Sequence, residues 1–455
     1  MKERFSRTFI IVLAACLLLG AAGDLAAQAK NIILLIGDGM GPTQYGAAWL
    51  YSNRVLNKEL RMVDVMKSNR TAFIVNDTAD AIVTESAAAA AQIATGQRMT
   101  ARALSMTPDG AKPVETILEL AKKKLGKATG LVTTSGITDA TPGAFAAHVP
   151  HRSDEAGVAD QQLKLGVDVL MGGRKQFFLP ESVSGGKRKD KRDLTQEAAK
   201  AGYTVVGTAE ELKAAKGRKI LGLFNMSNMS YEIDRPATQE PSLAEMTSKT
   251  LETLKANRKG FFAMIEGGRI DHAAHRNDAP SAIMDTLAFD AAVGVALDFA
   301  KKNPGTLVLV TADHETGGMG LIGHSKESKE YVGIDLKAIQ KAAMSFELMM
   351  AKLGKKPTAG DFKAAVKQYL SIDISDAEAQ LVADDPVKKG DPFNYGYDYV
   401  HSLAFVLRPY YRVGFASQTH TASPLMAFAY GPGSERIGGQ MHNTQLFTVM
   451  KAVLK

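Results

Sequence analysis

The sequence predicts an α/β fold in which helices cover both faces of a mostly parallel sheet. Apolar, strand-like runs occupy residues 31–37, 129–134, 261–265 and 307–312, and helical patterns lie between them. Strands that alternate with helices form parallel sheets, because each crossover helix returns the chain to the same end of the sheet. The chain has 455 residues, 45% of them hydrophobic, which is enough for a large core.

The helices of this fold are predicted from local patterns. An Ala-rich helix is expected to open at Ser86 and to end at Gly96, because serine favours helix starts and glycine favours helix ends. A second helix is predicted over residues 113–125, before the strand at 129–134. A third should precede the strand at 307–312 with a buried stripe that recurs every fourth residue: Ile283, Leu287, Ala291, Val295 and Phe299.

Two segments resemble additions to this fold. Residues 323–418 form a long insertion with helical patterns at 335–353 and 358–370 and an aromatic-rich stretch at 393–399. We expect the insertion to be decoration or a dimer contact rather than a lid. Residues 185–193 are rich in Lys and Arg without interleaved aromatics, so they predict a solvated surface turn and no nucleic-acid partner.

The N-terminus predicts export. Lys2, Arg4 and Arg7 precede an apolar stretch at 9–22, and Ala27-Gln-Ala29 supplies small residues for cleavage, as in a secretory signal peptide over residues 1–29. The mature chain, 30–455, would then be periplasmic or secreted. Cys16 lies in a box like that of bacterial lipoproteins, but the apolar run continues past it, so we expect no lipid anchor. No later stretch of about 20 apolar residues follows, so we predict no membrane span.

Acidic and histidine side chains follow several of the apolar runs. Asp38 follows the first run and the pair Asp313-His314 follows the last. Asp271 and His275 are four residues apart, on one face of a helical turn. Ligands of open α/β sheets bind beyond the carboxyl ends of the strands, and carboxylate with imidazole suits divalent metals, zinc foremost. The sequence therefore predicts a metalloenzyme.

Ser86 has two interpretations. Serine is a good N-cap, so it could simply begin the Ala-rich helix. It could instead be a nucleophile whose developing alkoxide, and an incoming phosphate, face the free amides of the helix. The local sequence alone favours the cap.

Six segments together resemble the alkaline phosphatases, in the order that this family has them and from residue 31 to the C-terminus. They are Asn31-Ile-Ile-Leu-Leu-Ile-Gly-Asp-Gly-Met-Gly41, Val83-Thr-Glu-Ser-Ala87, Asp139-Ala-Thr-Pro142, Glu266-Gly-Gly-Arg-Ile-Asp-His-Ala-Ala-His275, Thr311-Ala-Asp-His314 and Thr419-His-Thr421. The resemblance implies a three-layer αβα sandwich, with the insertion attached, and a homodimer. It also implies that the chain hydrolyses small phosphate monoesters to inorganic phosphate with two Zn²⁺ and one Mg²⁺.

The resemblance further implies a role for each site residue. One zinc would be held by Asp271, His275 and His420, and the second by Asp38, Asp313 and His314. Magnesium would be held by Asp139, Thr141 and Glu266, with Asp38 bridging. Ser86 would be the phosphorylated nucleophile, Arg152 would bind the phosphoryl oxygens, and His272 would contact phosphate or the third metal through water. The remaining histidines are expected to be structural or on the surface: His148, His151, His324, His401 and His442.

Two positions depart from the family pattern. Glu85 stands where the family usually has Asp, and its extra methylene is expected to shift the guanidinium of Arg152. Ala91 replaces a common threonine and should have little effect, since it lies on the helix. The alternatives left open are a phosphodiesterase, phosphonate hydrolase or sulfatase of the same superfamily, and a secreted protein that binds phosphate without turnover.

Overall fold

A computed structural model of the protein describes residues 28–326, 330–385 and 396–454. Nearly all of the expected signal peptide, including Cys16, lies outside the described residues, as do positions 393–395 of the aromatic-rich stretch. Ala29 already belongs to the fold: its amide donates to the Val453 carbonyl at 2.9 Å and its side chain is fully buried. In the described ranges, no helix combines the length and the apolarity needed to cross a bilayer.

The strands include every apolar run that the sequence singled out. In chain order they are β1 (Asn31–Gly37), β2 (Thr71–Val75), β3 (Ala128–Gly136), β4 (Val169–Gly173), β5 (Thr204–Val206), β6 (Ile220–Leu223), β7 (Phe261–Gly267), β8 (Thr306–Ala312), β9 (Glu315–Thr316), β10 (Met319–Leu321), β11 (His324–Lys326), β12 (Glu330–Val332), β13 (Val413–Phe415), β14 (His420–Thr421), β15 (Leu425–Tyr430) and β16 (Gly439–His442).

The helices lie mostly between consecutive strands. In chain order they are α1 (Pro42–Arg54), α2 (Arg61–Met66), α3 (Ser86–Thr95), α4 (Ile117–Glu119), α5 (Ala140–Ala146), α6 (Glu155–Leu165), α7 (Leu194–Lys200), α8 (Ala209–Ala214), α9 (Leu243–Leu254), α10 (Arg269–His275), α11 (Ala279–Lys302), α12 (Leu336–Gln340), α13 (Phe346–Leu353), α14 (Ala359–Ala365), α15 (Asp376–Asp384), α16 (Val400–Tyr411) and α17 (Thr444–Val453).

One ten-stranded sheet organises the molecule, in the order β16-β2-β15-β8-β1-β7-β3-β4-β6-β5. All its pairings are parallel except those of β15 with β2 and with β8. Helices α9 and α11 pack on each other and on central strands, while α3, α5 and α17 form a second helical layer that contacts β3 and β7 through α5. The predicted three-layer αβα architecture is confirmed. The central strands β1, β7 and β8 are buried along their whole length, as expected of a covered parallel sheet.

Two helix predictions are corrected by the structure. The helix expected over 113–125 begins only at Ile117, because Pro113 forms an extended bridge with Met106 and a capping box joins Thr116 to Glu119. The helix before β8 forms, but its predicted stripe is only partly buried: Ala291 is exposed, whereas Ile283 is buried and Leu287, Val295 and Phe299 are half-buried against the core. A four-residue repeat advances about 40° per step around a helix of 3.6 residues per turn, so it drifts off the buried face. Buried residues instead follow a mixed three-and-four spacing: Ala282, Thr286, Phe289, Val293, Ala296 and Ala300.

The insertion has a hydrophobic core of its own. Side chains from α13, α14, α15 and α16 form it, and Ala47 and Ile283 of the main body pack against it. The helical pattern at 335–353 is interrupted, because Asp335 caps α12 and Ser345 caps a separate helix, α13. Strand β10 pairs with β13 where the chain leaves and re-enters the main body.

The Lys/Arg-rich loop at 185–193 is only partly a surface turn. Arg188 is 3% exposed, and its guanidinium donates to the carbonyls of Ala156 and Phe177. This loop is therefore anchored by a buried arginine, which the composition of the segment did not predict.

Candidate active site

The carboxyl ends of three neighbouring strands bring distant acidic residues together. Strand β1 lies between β7 and β8, and Gly37 pairs with Gly267 on one side and Ala312 on the other. Asp38 directly follows Gly37, Asp313 directly follows Ala312, and Glu266 is the next-to-last residue of β7. All three side chains are buried. Parallel pairing thus places these carboxylates at one edge of the sheet.

Gly39 allows this edge of the sheet to lie close to helix α10. Its φ of +70° lies in the left-handed region, and a Cβ there would come within 2.7 Å of the Asp271 Cα. Its amide donates to the Asp313 Oδ1 atom at 3.1 Å. Glycine is needed at this position because a side chain would separate the strand end from the helix that carries Asp271 and His275.

Asp38, Asp313 and His314 form one group able to hold a metal, with ligand atoms all within 4.8 Å of one another. The His314 Nε2 atom lies 3.5 Å from Asp38 Oδ1 and 3.3 Å from Asp313 Oδ2. This grouping is the one that the family resemblance implied for the second zinc.

A second group consists of Asp271, His314 and His420, again within 4.8 Å. The resemblance implied His275 in this set, and the His275 Nε2 atom does lie 3.2 Å from Asp271 Oδ2. The ring of His420 lies 4.0 Å from that of His314 and 4.9 Å from that of His275, centroid to centroid. His314 therefore stands between the two predicted zinc sites.

Neighbouring groups orient these ligands. The Nδ1 atom of His275 contacts the Gln418 carbonyl, which leaves Nε2 towards Asp271. The Thr316 hydroxyl contacts both the Asp271 carboxylate and, at 3.2 Å, the Nδ1 atom of His314. Such outer partners fix ring orientation and leave the other nitrogen available to a metal.

Ser86 points into this cluster. Its Oγ atom lies 3.1 Å from His314 Nε2, and the residue is 4% exposed. The capping interpretation is wrong, because the N-cap of α3 is Glu85, whose carboxylate accepts from the amides of Ala87 and Ala88. The same contacts correct the expectation that free helix amides face the phosphate: these two already have a partner. Ala91 lies buried inside α3, away from this helix start.

Glu85 begins a chain of alternating charges beside Ser86. Its Oε2 atom accepts from Arg152 Nη1 at 2.8 Å, and Arg152 Nη2 donates to Asp139 Oδ1 at 2.8 Å. Arg174 Nη2 lies 2.9 Å from Asp139 Oδ2, and its Nη1 lies 2.7 Å from Glu155. Sequence reasoning missed Arg174; its position directly after the buried strand β4 was the available signal.

These ion pairs set the protonation of the carboxylates. Burial opposes ionisation of Glu85, but Arg152 and backbone donors overcome it and lower the pKa of Glu85 to about 2. Asp139 is buried too, and the guanidinium groups of Arg174 and Arg152 hold its pKa below the ordinary value. Both carboxylates are therefore anions, and the guanidinium of Arg152 is held between them.

The acids at the strand ends behave in the opposite way. Burial, followed by the charge of Asp313, raises the pKa of Asp38 well above its ordinary value. Burial and then Asp271 raise the pKa of Asp313 to about 7, while burial and Asp139 raise that of Glu266 to about 8. Keeping these three carboxylates ionised and close together in a buried site therefore requires a positive charge beside them.

Several buried oxygens in this place fit that requirement. Within the described ranges, Asp38 Oδ1, Thr141 Oγ1 and Asp313 Oδ2 have no hydrogen-bond partner. Glu266 accepts from Thr133 and, at 3.5 Å, from Ser135. Partnerless buried oxygens beside carboxylates and imidazoles suit cations: hard oxygen donors favour magnesium, and mixed nitrogen and oxygen donors favour zinc. The donor set therefore fits the metals implied by the resemblance.

Four of the five remaining histidines have partners elsewhere, and the side chain of the fifth, His324, lies outside what the structure describes. His148 contacts the Ser105 carbonyl and Glu119, His151 contacts Ser153, and His442 contacts Thr444 and Asp77. His401 contacts Asn277 at 2.9 Å. None of these contacts includes a residue of the two metal-binding groups.

Comparison with known proteins identifies the family. The family model described as "Alkaline phosphatase" matches residues 29–455. The chain belongs to the alkaline phosphatase family. Alkaline phosphatase 4 of Bacillus subtilis strain 168 is 34% identical over 439 residues, which are 94% of this chain and 89% of that protein.

Solved alkaline phosphatases share the architecture. The Thermus thermophilus alkaline phosphatase superposes with a TM-score of 0.87 at 33% identity, over 95% of this chain and 93% of that one. A variant of the alkaline phosphatase from the Antarctic bacterium TAB5, solved with Mg bound in its M3 site, superposes with a TM-score of 0.67 at 25% identity, over 94% of this chain and 99% of that one. Alkaline phosphatases are phosphomonoesterases, and the chain is an enzyme of this class.

Proposed function

We propose that this alkaline phosphatase hydrolyses small phosphate monoesters through a phosphoserine at Ser86, at a site that holds two Zn²⁺ and one Mg²⁺. The observation that carries the proposal is the 3.1 Å contact of Ser86 Oγ with His314, within a buried cluster of carboxylates and imidazoles. We assign one zinc to Asp271, His275 and His420, and the second to Asp38, Asp313 and His314. Magnesium is assigned to Asp139, Thr141 and Glu266, with Asp38 bridging.

The assignment of Asp139 is compatible with its arginine partners. Its Oδ1 atom accepts from Arg152 and from the amide of Ala140, and its Oδ2 atom accepts from Arg174. An ionised carboxylate offers about four acceptor positions, so one on Oδ2 stays open. Thr141 follows Asp139 within the same helix start, and among the described residues its buried Oγ atom has no hydrogen-bond partner. Oxygen donors alone suit magnesium, and the TAB5 variant shows that an alkaline phosphatase can bind it.

The chain's own residues then divide the work of phosphoryl transfer. Ser86 Oγ attacks the phosphorus in line with the departing alcohol, and water later displaces the serine oxygen to release inorganic phosphate. Arg152 binds the phosphoryl oxygens with N–H groups that Glu85 and Asp139 leave unused. His272 contacts the phosphate or water beside it. Zinc and magnesium, when bound, supply the positive charge that favours the serine alkoxide and stabilises the leaving oxygen.

Export and dimerisation belong to the same proposal. The first 29 residues have the order of a secretory signal peptide, and we propose that the mature enzyme works in the periplasm or outside the cell as a homodimer. This part of the proposal requires that the enzyme is recovered from the periplasmic or extracellular fraction with its N-terminus at residue 30. It also requires that the mass of the enzyme in solution is that of a dimer.

The preferred substrate class can be tested directly. We expect turnover of a phosphate monoester to exceed that of the matched diester and sulfate by about a hundredfold or more, since the second negative charge gains charge-assisted hydrogen bonds from Arg152. Steady-state kcat/KM on the same alcohol group in all three esters measures this ratio. A diester or sulfate turned over as fast as the monoester would favour the rival members of the superfamily.

Arg174 offers a second prediction. Replacing it with methionine leaves Asp139 and Glu155 without one buried cation, so extra negative charge should face the phosphate. We expect KM for a monoester, and the inhibition constant of inorganic phosphate, to rise about tenfold. A tenfold change corresponds to the free energy of a shift of about one pKa unit.

Arg188→Met is the matched control, because Arg188 is also buried but pairs with backbone carbonyls and Asp190. It should lower the melting temperature without changing KM of the folded enzyme. If both variants changed KM equally, Arg174 would have no role beyond stability.

A further inference from the structure

The helix α10 presents two functional faces. Asp271 and His275, four residues apart, face the metal-binding cluster. Arg269, His272 and Arg276 follow the spacing of three and four residues that places side chains on one face of a helix. The two arginines contact Glu347 of the insertion, and His272 contacts Arg269. The motif from Glu266 to Arg276 thus joins the metal site to a second, separate set of contacts.

Arg269 is the centre of that second set. It is 2% exposed, and its guanidinium lies 3.6 Å from the centroid of the Tyr231 ring. Its Nη1 atom lies 2.9 Å from His272 Nδ1, and its Nη2 atom lies 2.9 Å from the Oε1 atom of Glu347. The planar guanidinium is held by the Tyr231 ring on its face and by His272 and Glu347 at its two terminal nitrogens, so it has little freedom to turn.

This contact decides which nitrogen of His272 carries the proton. A guanidinium has donors and no acceptor, so Nδ1 of His272 must accept, and the proton of the neutral ring sits on Nε2. The contact with phosphate, or with water beside it, that the proposed function gives to His272 would then use this Nε2–H donor.

Glu347 belongs to the insertion. It lies in the first turn of α13, and its Oε2 atom pairs with Arg276 Nη2 at 2.8 Å while Oε1 pairs with Arg269. The start of α13 is fixed to the main body, since the amide of Phe346 donates to Asp278 at 2.7 Å and that of Ser345 donates to Asp234 at 3.0 Å. One carboxylate from the insertion thus joins the two arginines that flank His272.

We propose that Glu347 is a positioning residue: it fixes Arg269, and through Arg269 the ring and the Nε2 donor of His272 that contacts the substrate's phosphoryl group. The insertion is then part of substrate binding rather than decoration. This inference rests on the proposed function for the role of His272, but the Glu347–Arg269–His272 chain of contacts stands on its own geometry. Glu347 is 40% exposed, so its replacement should not disturb the core.

The test uses Glu347→Gln in the metal-loaded enzyme, a change that removes the charge and keeps the size. We expect the inhibition constant of inorganic phosphate and KM for a monoester to rise about three- to tenfold, with kcat changed less than about twofold, as for a coupling through one intermediate residue. Glu378→Gln is the matched control, since Glu378 also lies in the insertion but contacts Ser375 and Tyr410. It should change neither constant.

A double-mutant cycle tells positioning from general damage. In a His272→Ala background, Glu347→Gln should have no further effect on phosphate inhibition, because its action passes through His272. An equal effect in both backgrounds would overturn the proposal, and so would a folded Glu347→Gln enzyme with wild-type constants. Arg269→Lys, which keeps the charge without the fork, should reproduce the loss of phosphate affinity.

A readout independent of turnover separates this proposal from the proposed function. Nitrogen chemical shifts of the His272 ring should show Nδ1 unprotonated and Nε2 protonated in the wild-type enzyme, and a mixture of both forms in Glu347→Gln. Unchanged shifts in the variant would overturn the positioning role. Absence of monoester hydrolysis by the wild-type enzyme would overturn the proposed function instead, and the nitrogen shifts would still decide the positioning role.

Discussion

Replacing Ser86 with alanine is expected to lower kcat for a phosphate monoester at least about 1,000-fold, as removal of a covalent nucleophile does in other hydrolases. The physical reason is the position of the Ser86 hydroxyl: its Oγ atom lies 3.1 Å from His314 Nε2, the nitrogen that faces Asp38 and Asp313. The Thr316 hydroxyl instead contacts His314 Nδ1 and the Asp271 carboxylate. Rapid acid quenching with radiolabelled substrate should trap phosphate on the wild-type chain and none on the variant.

The same substitution should leave the fold intact, which makes the result decisive. Glu85, and not Ser86, caps α3, so the variant's melting temperature should stay close to that of the wild type. Ser242→Ala is the matched control: Ser242 caps α9, and its loss should cost about 1 kcal/mol of stability without changing kcat. Hydrolysis by Ser86→Ala within tenfold of the wild type would contradict the phosphoserine mechanism.

Removing the metals is expected to abolish activity and to destabilise the protein increasingly as pH rises. In the metal-free chain the pKa of Asp313 is raised to about 7 and that of Glu266 to about 8, mainly by burial. A carboxyl whose pKa is raised in the folded state binds more protons there than in the unfolded chain. Its stabilising contribution is complete below about pH 4, the unfolded value, and is lost as pH rises through 7 to 8.

The measurement compares chelated and metal-loaded protein at each pH, so that other titrating groups cancel. The difference in melting temperature should widen from pH 5 to pH 8, and added zinc and magnesium should close it. Asp38→Asn supplies the control: without its charge, the chelated protein should be more stable than chelated wild type at pH 8, on the order of 1 kcal/mol. A difference that stays constant with pH would show that these carboxylates do not repel one another.

The polar cluster explains why this enzyme should depend on metals for folding as well as for catalysis. Asp38, Asp313 and Glu266 are all buried, and Asp38 Oδ1 and Asp313 Oδ2 have no hydrogen-bond partner among the residues that the structure describes. Burying unpaired anions costs several kcal/mol each, so their retention favours a cation as the missing partner. Cys16 is the only cysteine of the chain, so a disulfide within one chain cannot substitute for the metals.

Glu85 departs from the family pattern, and the contacts that this longer side chain makes are determined by the tertiary structure. From sequence, its extra methylene was expected to shift Arg152. In the structure the longer side chain reaches the amides of Ala87, Ala88 and Arg102 as well as the guanidinium of Arg152. One carboxylate therefore caps the helix that begins at Ser86 and holds the guanidinium of Arg152. Whether Arg152 is displaced relative to an aspartate-containing enzyme stays a prediction.

The sequence by itself determined the strands and the chemistry at their ends. The run from Asn31 to Gly37 forms β1 with the predicted bounds, and Asp38, Asp313 and His314 were recognisable because unbroken apolar runs end at polar residues. Patterns of this kind are local, since a strand buried on both faces must be apolar along its whole length. The family motifs extended these local patterns to named ligands.

The tertiary structure alone decided which distant groups meet. No local pattern distinguishes Glu347 from other charged residues, and the position of Arg174 after β4 does not by itself reveal its contact with Asp139. Arg188 was misread as solvated because its loop is rich in charge. Part of the stripe on α11 was misplaced because a strict four-residue repeat drifts around a helix of 3.6 residues per turn and so leaves the buried face. Contacts between residues far apart in the chain depend on how the sheet, α10 and the insertion pack, and that packing depends on shape and charge complementarity over the whole molecule.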